Sequence, residues 1–196
     1  RPIDAQEAAD NAHRKFADNR SEFITYLKIW QWFDDALKNK QSNRLLRESC
    51  HNQFLSFLRL REWRDIHSQL LTIVRERGWR LNESDATYEQ LHLALLTGLL
   101  GNIGCKTEDA AVFLGARGIR FHIWPGSSLA RKNGRWIMAA ELVDTSRLYA
   151  RCIAQIQPEW LERVGSHLLK KSWSDPHWEK RPAQVSAFFT TVFAIS

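Results

Sequence analysis

The sequence predicts an α+β protein in which a helical region precedes a small antiparallel β-barrel with flanking helices. Apolar residues recur every three or four positions through the first hundred residues, and this period becomes two after Gly104. Turn signals at Pro125-Gly126 and Asn133-Gly134 separate the short alternating runs, as expected between the strands of a barrel. At 196 residues, the chain is long enough for one or two domains with real cores.

Four helices are predicted before the barrel. The chain is polar up to Ser21, and we expect a linker or a surface helix in that part. Helical spacing then runs through "SEFITYLKIWQWFDDAL", "SNRLLRESCHNQFLSFLRL" and "REWRDIHSQLLTIVRERG", with Ser21 placed to cap the first of these. A fourth helix is predicted over "TYEQLHLALLTGLLGNIG", where Thr87 and Gln90 form a capping-box pair and Gly104 ends the helix.

One face of the third helix carries an apolar row at helical spacing, and Gly78 is a natural stop for that helix. The residues of the row are Trp63, Ile66, Leu70 and Val74. Its other side mixes Glu62 and Asp65 with Arg61 and Arg64, which is typical of a salt-bridged surface.

Three strands and a last helix follow. In "IRFHIW", Ile119, Phe121 and Ile123 alternate with Arg120, His122 and Trp124. A second strand is predicted over "RWIMAAELV" and a third over "RLYARCIAQI". In the third, Leu148, Ala150, Cys152, Ala154 and Ile156 face away from Arg147, Tyr149 and Arg151. Pro158 is then expected to open a helix over "PEWLERVGSHLLKK".

Positive charge is concentrated in the second half of the chain. Residues 1–92 hold 15 Lys and Arg against 14 Asp and Glu, whereas residues 93–196 hold 13 against 8. The window 110–140 contains no acidic residue, although it contains Arg117, Arg120, Arg131, Lys132 and Arg135. A buried sheet would exclude acids, but it would exclude these cations equally. A surface kept positive for an anionic partner is therefore indicated.

Several chemical classes find no support in the sequence. There is no phosphate-binding G-x-x-x-x-G-K-[ST] loop, no G-x-G-x-x-G, no nucleophile elbow and no H-E-x-x-H. Three widely spaced cysteines fit a reducing cytoplasm better than a disulfide framework or a zinc site. No signal peptide or membrane-spanning run is apparent. An independent enzyme has only the seven histidines in its favour.

The barrel is the best candidate for a binding surface. One strand face carries His122 and Trp124, and another carries Tyr149 and Arg151. If these two faces adjoin, guanidinium groups lie beside flat rings, as the binding of single-stranded nucleic acid requires. Cations follow phosphates while rings stack on bases. Two alternatives stay open: the rings pack under a neighbouring domain, and the basic loops are simply solvated. The candidate RNA-binding residues are Arg117, Arg120, His122, Trp124, Arg131, Lys132 and Arg135.

Longer strings resemble one known family. "SEFITYLKIWQWF", "FLSFLRLREWRDIHSQL", "HLALLTGLLGNIG", "ARGIRFHIWPGSSL", "RWIMAAELVDTSRLYARCIAQIQPEWLE" and "KSWSDPHWEK" occur in the order found in bacterial DEAH-box ATP-dependent RNA helicases of the HrpA type. The resemblance covers roughly residues 10 to 186. It implies a helical ratchet-like (helicase-associated) region over 1–90, an OB-fold over 91–172 and the start of a C-terminal region over 173–196.

The resemblance also implies a role. In this family the ratchet region and the OB-fold help to line the channel for single-stranded RNA, which adds Arg61 and Arg64 to the candidate RNA-binding residues. The ATPase motifs are absent from this chain, so no cofactor is expected here, and ATP and magnesium belong to the parent helicase. The expected partners are single-stranded RNA and the motor domains of the same polypeptide, in the cytoplasm and without a membrane. The alternative is a protein-docking module, which exposed Trp173 and Trp178 would favour.

Overall fold

The structure is a computed structural model of the chain. It describes residues 3–39, 42–109, 111–166, 169–179 and 184–193, with the backbone alone considered in the last two ranges. Two compact units are present, Arg1–Ala86 and Thr87–Ser196. Helices make up the described part of the first unit, and the second contains a closed five-stranded barrel. The predicted α+β class is therefore confirmed.

The described part of the first unit contains four α-helices. They are α1 (Gln6–His13), α2 (Glu22–Lys38), α3 (Asn43–Asn52) and α4 (Phe57–Glu76). A serine precedes each of the last three, and its hydroxyl oxygen accepts a backbone N–H three residues later; these serines are Ser21, Ser42 and Ser56. The predicted cap at Ser21 is thus confirmed. Phe33, Leu46 and Cys50 are buried where α2, α3 and α4 pack together.

The second and third predicted helices are divided differently in the structure. The chain breaks between α3 and α4, where Phe54 has a left-handed φ of 53° and Ser56 caps the new helix. Helix α4 then continues without interruption to Glu76. The prediction of a break near residue 60 was wrong because the apolar spacing of "FLSFLRL" continues in phase into the following segment.

Helix α5 (Tyr88–Leu99) opens the second unit. Its capping box is confirmed: the Thr87 hydroxyl oxygen accepts from Gln90 N, and the Gln90 side chain accepts from Thr87 N. The helix ends at Leu99 and not at Gly104, which lies in the first strand of the barrel. A Cβ at Gly104 would lie 2.4 Å from Cζ of Phe121, so this strand crosses the core ring closely.

Five strands form the barrel: β1 (Ile103–Lys106), β2 (Phe113–Gly115), β3 (Arg120–Ile123), β4 (Trp136–Asp144) and β5 (Leu148–Gln155). Their spatial order is β1-β2-β3-β5-β4, and β4 pairs with β1 to close the sheet. Neighbours are antiparallel except β3 and β5, which are parallel. The connection between β3 and β4 contributes Leu129, which is buried in the core with Phe113 and Phe121.

Strand β5 changes its inward face at Cys152, which corrects the predicted alternation. Ala150 lies in the core as predicted, but the next core residue is Ile153, because Cys152 adopts a left-handed φ of 51°. The core residues of β5 are thus three positions apart at this point, and so are their partners on β4. Leu142 pairs with Ala150, and Ala139 pairs with Ile153. Arg151 is consequently the last residue of β5 that continues the outward row of Tyr149.

The segment after the barrel departs from the sequence prediction. Helix α6 (Pro158–Val164) begins at Pro158 as predicted but ends before Gly165. Beyond it, β6 (Leu169–Glu179) and β7 (Gln184–Phe193) form an antiparallel pair. The prediction of helix through Lys171 was wrong, since these residues pair with a strand more distant in sequence. The side chains of Trp173 and Trp178 lie outside the described part of the chain.

Candidate nucleic-acid interface

Strands β3 and β5 bring the predicted aromatic residues together. Their parallel register places His122 beside Tyr149 and Ile123 beside Ala150. The rings of His122 and Tyr149 lie 6.1 Å apart between centroids. The His122 ring nitrogen Nδ1 lies 3.0 Å from the Ala111 carbonyl oxygen, so Nδ1 carries the proton and donates. The outward faces of β3 and β5, which belong to separate segments of the sequence, therefore form one surface.

Trp124 extends this surface past the end of β3. Its backbone N–H donates a 3.0 Å hydrogen bond to the carbonyl oxygen of Ala150, which continues the pairing with β5. The indole lies 5.4 Å from the Tyr149 ring at an interplanar angle of 86°, an edge-to-face contact. Thirty-six per cent of Trp124 is exposed. The indole is thus held by a perpendicular neighbour and is partly exposed to solvent.

Arg151 is the fourth member of the surface. Its guanidinium carbon lies 4.3 Å from the centre of the Trp124 ring, a close cation–π contact. The register also sets Glu141 of β4 directly opposite Arg151. The described ion pairs do not include this pair, although cross-strand neighbours stand about 5 Å apart at Cβ. We refer to His122, Trp124, Tyr149 and Arg151 as the aromatic face.

The stacking leaves one donor of Arg151 unsatisfied. Within the described residues, its Nε is buried and donates to no acceptor. Leaving such a donor unpaired costs about 1–3 kcal/mol, whereas a cation–π contact returns roughly 0.5–2 kcal/mol. No described residue accepts a hydrogen bond from the two terminal nitrogens either. The half-buried guanidinium therefore lies on the ring without a described hydrogen-bond acceptor.

The predicted cations divide between the two ends of the barrel. Arg120 opens β3, and Arg117 precedes it in a short 3₁₀ turn, where it has a left-handed φ of 57°. Arg131, Lys132 and Arg135 lie in the connection from β3 to β4, at the opposite end. The structure thus joins His122 and Trp124 with Arg151, while it separates the five cations into two groups.

Hydrogen bonds fix the backbone of the β3–β4 connection at Lys132 and at Arg135. The Gln155 side-chain amide donates to the Lys132 carbonyl oxygen at 3.1 Å, and Lys106 N donates to the Arg135 carbonyl oxygen at 2.8 Å. Asn133 accepts a hydrogen bond from Nζ of Lys106 at 2.9 Å. The backbone of this connection is therefore anchored to β1 and β5, while the side chains of Arg131, Lys132 and Arg135 are exposed.

These exposed cations have no carboxylate partners among the described residues. The ion pairs found there join Lys28 to Asp18, Lys38 to Asp34, Arg59 to Glu62 and Arg163 to Glu89. None of these pairs includes Arg120, Arg131, Lys132, Arg135 or Arg147. These cations are consequently not held in salt bridges to described carboxylates.

Arg61 and Arg64 lie on α4 in the first unit. With Asp65, Phe57 and the core residue Phe33 they line a cavity of about 190 Å³. The Arg61 guanidinium carbon stands 5.9 Å from the centre of the Phe57 ring. Both arginines are exposed. They form a basic group on a separate compact unit from the barrel.

Two members of the aromatic face, Tyr149 and Arg151, were absent from the set of candidate binding residues. The alternation in "RLYARCI" placed both on the outward side of their strand. Their contact with Trp124 depends on the parallel pairing of β3 with β5, which joins segments more than twenty residues apart. No group of acidic, cysteine or histidine side chains suited to a metal ion occurs within the described residues. No described helix is long and apolar enough to span a membrane.

The fold of the second unit identifies its class. Residues 91–168 match the family described as oligonucleotide/oligosaccharide-binding (OB)-fold. This match covers most of α5, the five strands of the barrel and α6. The second unit therefore contains an OB-fold, and its closed barrel has the strand order β1-β2-β3-β5-β4.

The whole chain resembles ATP-dependent RNA helicases. It is 46% identical over 187 residues to ATP-dependent RNA helicase HrpA of Escherichia coli, and 44% identical over 187 residues to the HrpA homolog of Haemophilus influenzae. Each match covers 95% of this chain but 14% of the relative. ATP-dependent RNA helicase DHX33 of Drosophila melanogaster is 28% identical over 81% of the chain and 22% of that protein. The chain thus corresponds to a segment of an HrpA-type helicase, which confirms the sequence resemblance.

Proposed function

We propose that this chain is a non-catalytic accessory region of an ATP-dependent RNA helicase and that its barrel guides single-stranded RNA past the motor domains. One observation carries the proposal: the barrel carries a ring cluster with Arg151 stacked on it, and at both ends it also carries exposed cations without described carboxylate partners. Cations that follow phosphates and rings that stack on bases are the two elements of single-strand binding.

Binding of this kind carries little sequence information. Guanidinium and ammonium groups contact phosphates, and every base offers a flat face to a ring. The barrel is therefore suited to hold an RNA strand while it moves. A guiding surface of a motor needs weak contacts of this type, because a base-specific contact would hold the strand at one position.

On this proposal, ATP and magnesium act in motor domains elsewhere in the longer polypeptide. The described residues then bind no cofactor, and the 196-residue chain alone hydrolyses no ATP. The partners are single-stranded RNA and those motor domains, in the cytoplasm and away from membranes. A phosphate-release assay of the chain with ATP, magnesium and RNA tests the non-catalytic part, and turnover above that of a denatured sample would contradict it.

Separate variants test the two basic groups at the ends of the barrel. Binding of a 5′-fluorescein-labelled 12-mer of oligouridylate is followed by anisotropy. One variant combines Arg131→Gln, Lys132→Gln and Arg135→Gln, and a second combines Arg117→Asn with Arg120→Gln. An Arg61→Gln/Arg64→Gln variant tests the first unit. The matched control combines Lys38→Gln, Arg59→Gln and Arg163→Gln, which removes three cations from ion pairs elsewhere.

We expect each barrel variant to bind more weakly than the control. Because each lost phosphate contact lowers the salt dependence by about 0.7, the triple barrel variant is expected to lose a log–log slope of about 2. Equal losses in the barrel variants and in the control would mean that only net charge matters. That outcome would contradict a guiding surface on the barrel.

A second candidate function is protein docking, which an exposed apolar row on α4 favours. Ile66, Leu70 and Ile73 are 54%, 57% and 46% exposed, at the spacing of one helix face. We assign this row to contact with the motor domains of the same polypeptide. Calorimetric titration of the chain with the motor portion of the Escherichia coli relative tests the assignment. Leu70→Gln/Ile73→Gln is expected to abolish the heat of binding, and an unchanged heat would exclude this row.

A further inference from the structure

Arg151 has features that stacking alone does not explain. It lies on the Trp124 ring, although the register sets the carboxylate of Glu141 opposite it on β4. Within the described residues it forms no ion pair, and its terminal nitrogens donate to no acceptor. A planar fork of donors is therefore fixed on a ring at the surface without an anion. Such a fork fits two oxygens of a phosphate.

Trp124 supplies the complementary element. Trp124 is 36% exposed, its backbone is fixed by the hydrogen bond to the Ala150 carbonyl oxygen, and its ring contacts the perpendicular Tyr149 ring. A nucleobase that stacks on such a ring brings its own phosphate within reach of a group lying on the same ring. Base–aromatic stacking tolerates every base.

We infer that Trp124 and Arg151 form one subsite for a single nucleotide of single-stranded RNA. The base stacks on the indole, and the guanidinium that lies against the same indole binds the phosphate. Tyr149 is a positioning residue, which holds the ring upright. This inference rests on the proposed function and assigns a specific contact to two residues of the barrel.

Single substitutions separate the two contacts, measured with the labelled 12-mer of oligouridylate and the 196-residue chain. Trp124→Leu removes the stacking ring and the support of the Arg151 guanidinium, and we expect roughly 5- to 150-fold weaker binding. The salt slope is expected to fall by no more than one phosphate contact, about 0.7. Trp124→Phe keeps a flat ring and is expected to retain most of the affinity. Arg151→Gln removes one phosphate contact, so the slope is expected to fall by about 0.7. Arg151→Lys keeps the slope but binds more weakly, because an ammonium lacks the planar fork.

The double variant Trp124→Leu/Arg151→Gln tests whether the two residues act on one nucleotide. Because the ring also positions the guanidinium, the fold-loss of the double variant is expected to be smaller than the product of the two single losses. Losses that multiply would contradict a shared subsite. Arg163→Gln is the charge control, because it removes one cation from an ion pair between α6 and α5 that includes no residue of the aromatic face. Melting curves by circular dichroism establish that every variant is folded.

The outcomes distinguish this inference from the proposed function. If the parent chain binds the RNA with a steep salt dependence while Trp124→Leu and Arg151→Gln match Arg163→Gln, the subsite is wrong and RNA guidance stands. If the parent chain shows no salt-dependent RNA binding, both are wrong. If Trp124→Leu instead abolishes calorimetric binding to the motor portion of the relative and leaves RNA binding unchanged, the exposed ring belongs to a protein interface and the inference is overturned.

Discussion

The hydroxyl of Tyr88 donates a 2.8 Å hydrogen bond to the carbonyl oxygen of Gln155, which joins the first residue of α5 to the last residue of β5. The Tyr88 ring also stacks on His92 at 3.9 Å and lies 6.1 Å from Trp160 of α6. His92 is fully buried, and its Nδ1 donates to the Tyr88 carbonyl oxygen at 2.6 Å. Both helices that flank the barrel therefore meet at Tyr88.

Tyr88→Phe is expected to lower the free energy of unfolding of the second unit by about 0.5–1.5 kcal/mol, because the Gln155 carbonyl loses a donor while the ring is kept. Urea unfolding followed by circular dichroism measures the change. Tyr149→Phe is the matched control, since the Tyr149 hydroxyl has no hydrogen-bond partner among the described residues. A Tyr88→Phe variant as stable as this control would show that the hydrogen bond contributes nothing.

Gly104→Ala is expected to destabilise the barrel. The added Cβ would lie 2.4 Å from Cζ of Phe121 and 3.2 Å from Cβ of Phe113, so the core has to shift. Overpacking of this kind costs about 1–3 kcal/mol. Gly101→Ala is the control because a Cβ there meets no atom within 4 Å. Equal urea midpoints for the two variants would contradict the close crossing of β1 over the Phe121 ring.

Burial raises the pKa of the Cys50 thiol above its ordinary value of 9.0. The thiol therefore stays protonated in the folded protein at a pH where the unfolded chain begins to ionise. The stability that this group contributes is intact below about pH 9 and is lost progressively as the pH rises. Urea midpoints are expected to fall less between pH 8.5 and pH 10 in Cys50→Ala than in the parent chain. Parallel declines would contradict this role.

The elements that local sequence determines were predictable. Ser21 and the Thr87–Gln90 pair mark helix starts because capping depends on residues three positions apart. The outward row of His122 and Trp124 follows from strand alternation. Each of these signals needs only a few neighbouring residues, and the α+β class follows from them.

Features that depend on distant pairing were not predictable from local patterns. Residues 169–171, which were expected to continue the last helix, lie in a strand because they pair with β7. The change of inward face at Cys152 requires a left-handed φ. Glycine usually marks such a conformation in a sequence, but this position is a cysteine. The contact of Arg151 with Trp124 exists only because β3 and β5 are parallel neighbours. Alternation placed each residue on a face, but it did not show which faces adjoin.

The salt dependence of RNA binding by the unsubstituted 196-residue chain tests the central claim most directly. Anisotropy titrations with the labelled 12-mer of oligouridylate between 50 and 200 mM salt give the slope of log K against log salt concentration. If about four cations contact phosphates, the slope is expected to be near −3 by the single-strand rule of about 0.7 per contact. A slope close to zero, or no detectable binding at 50 mM salt, would contradict a barrel that guides single-stranded RNA.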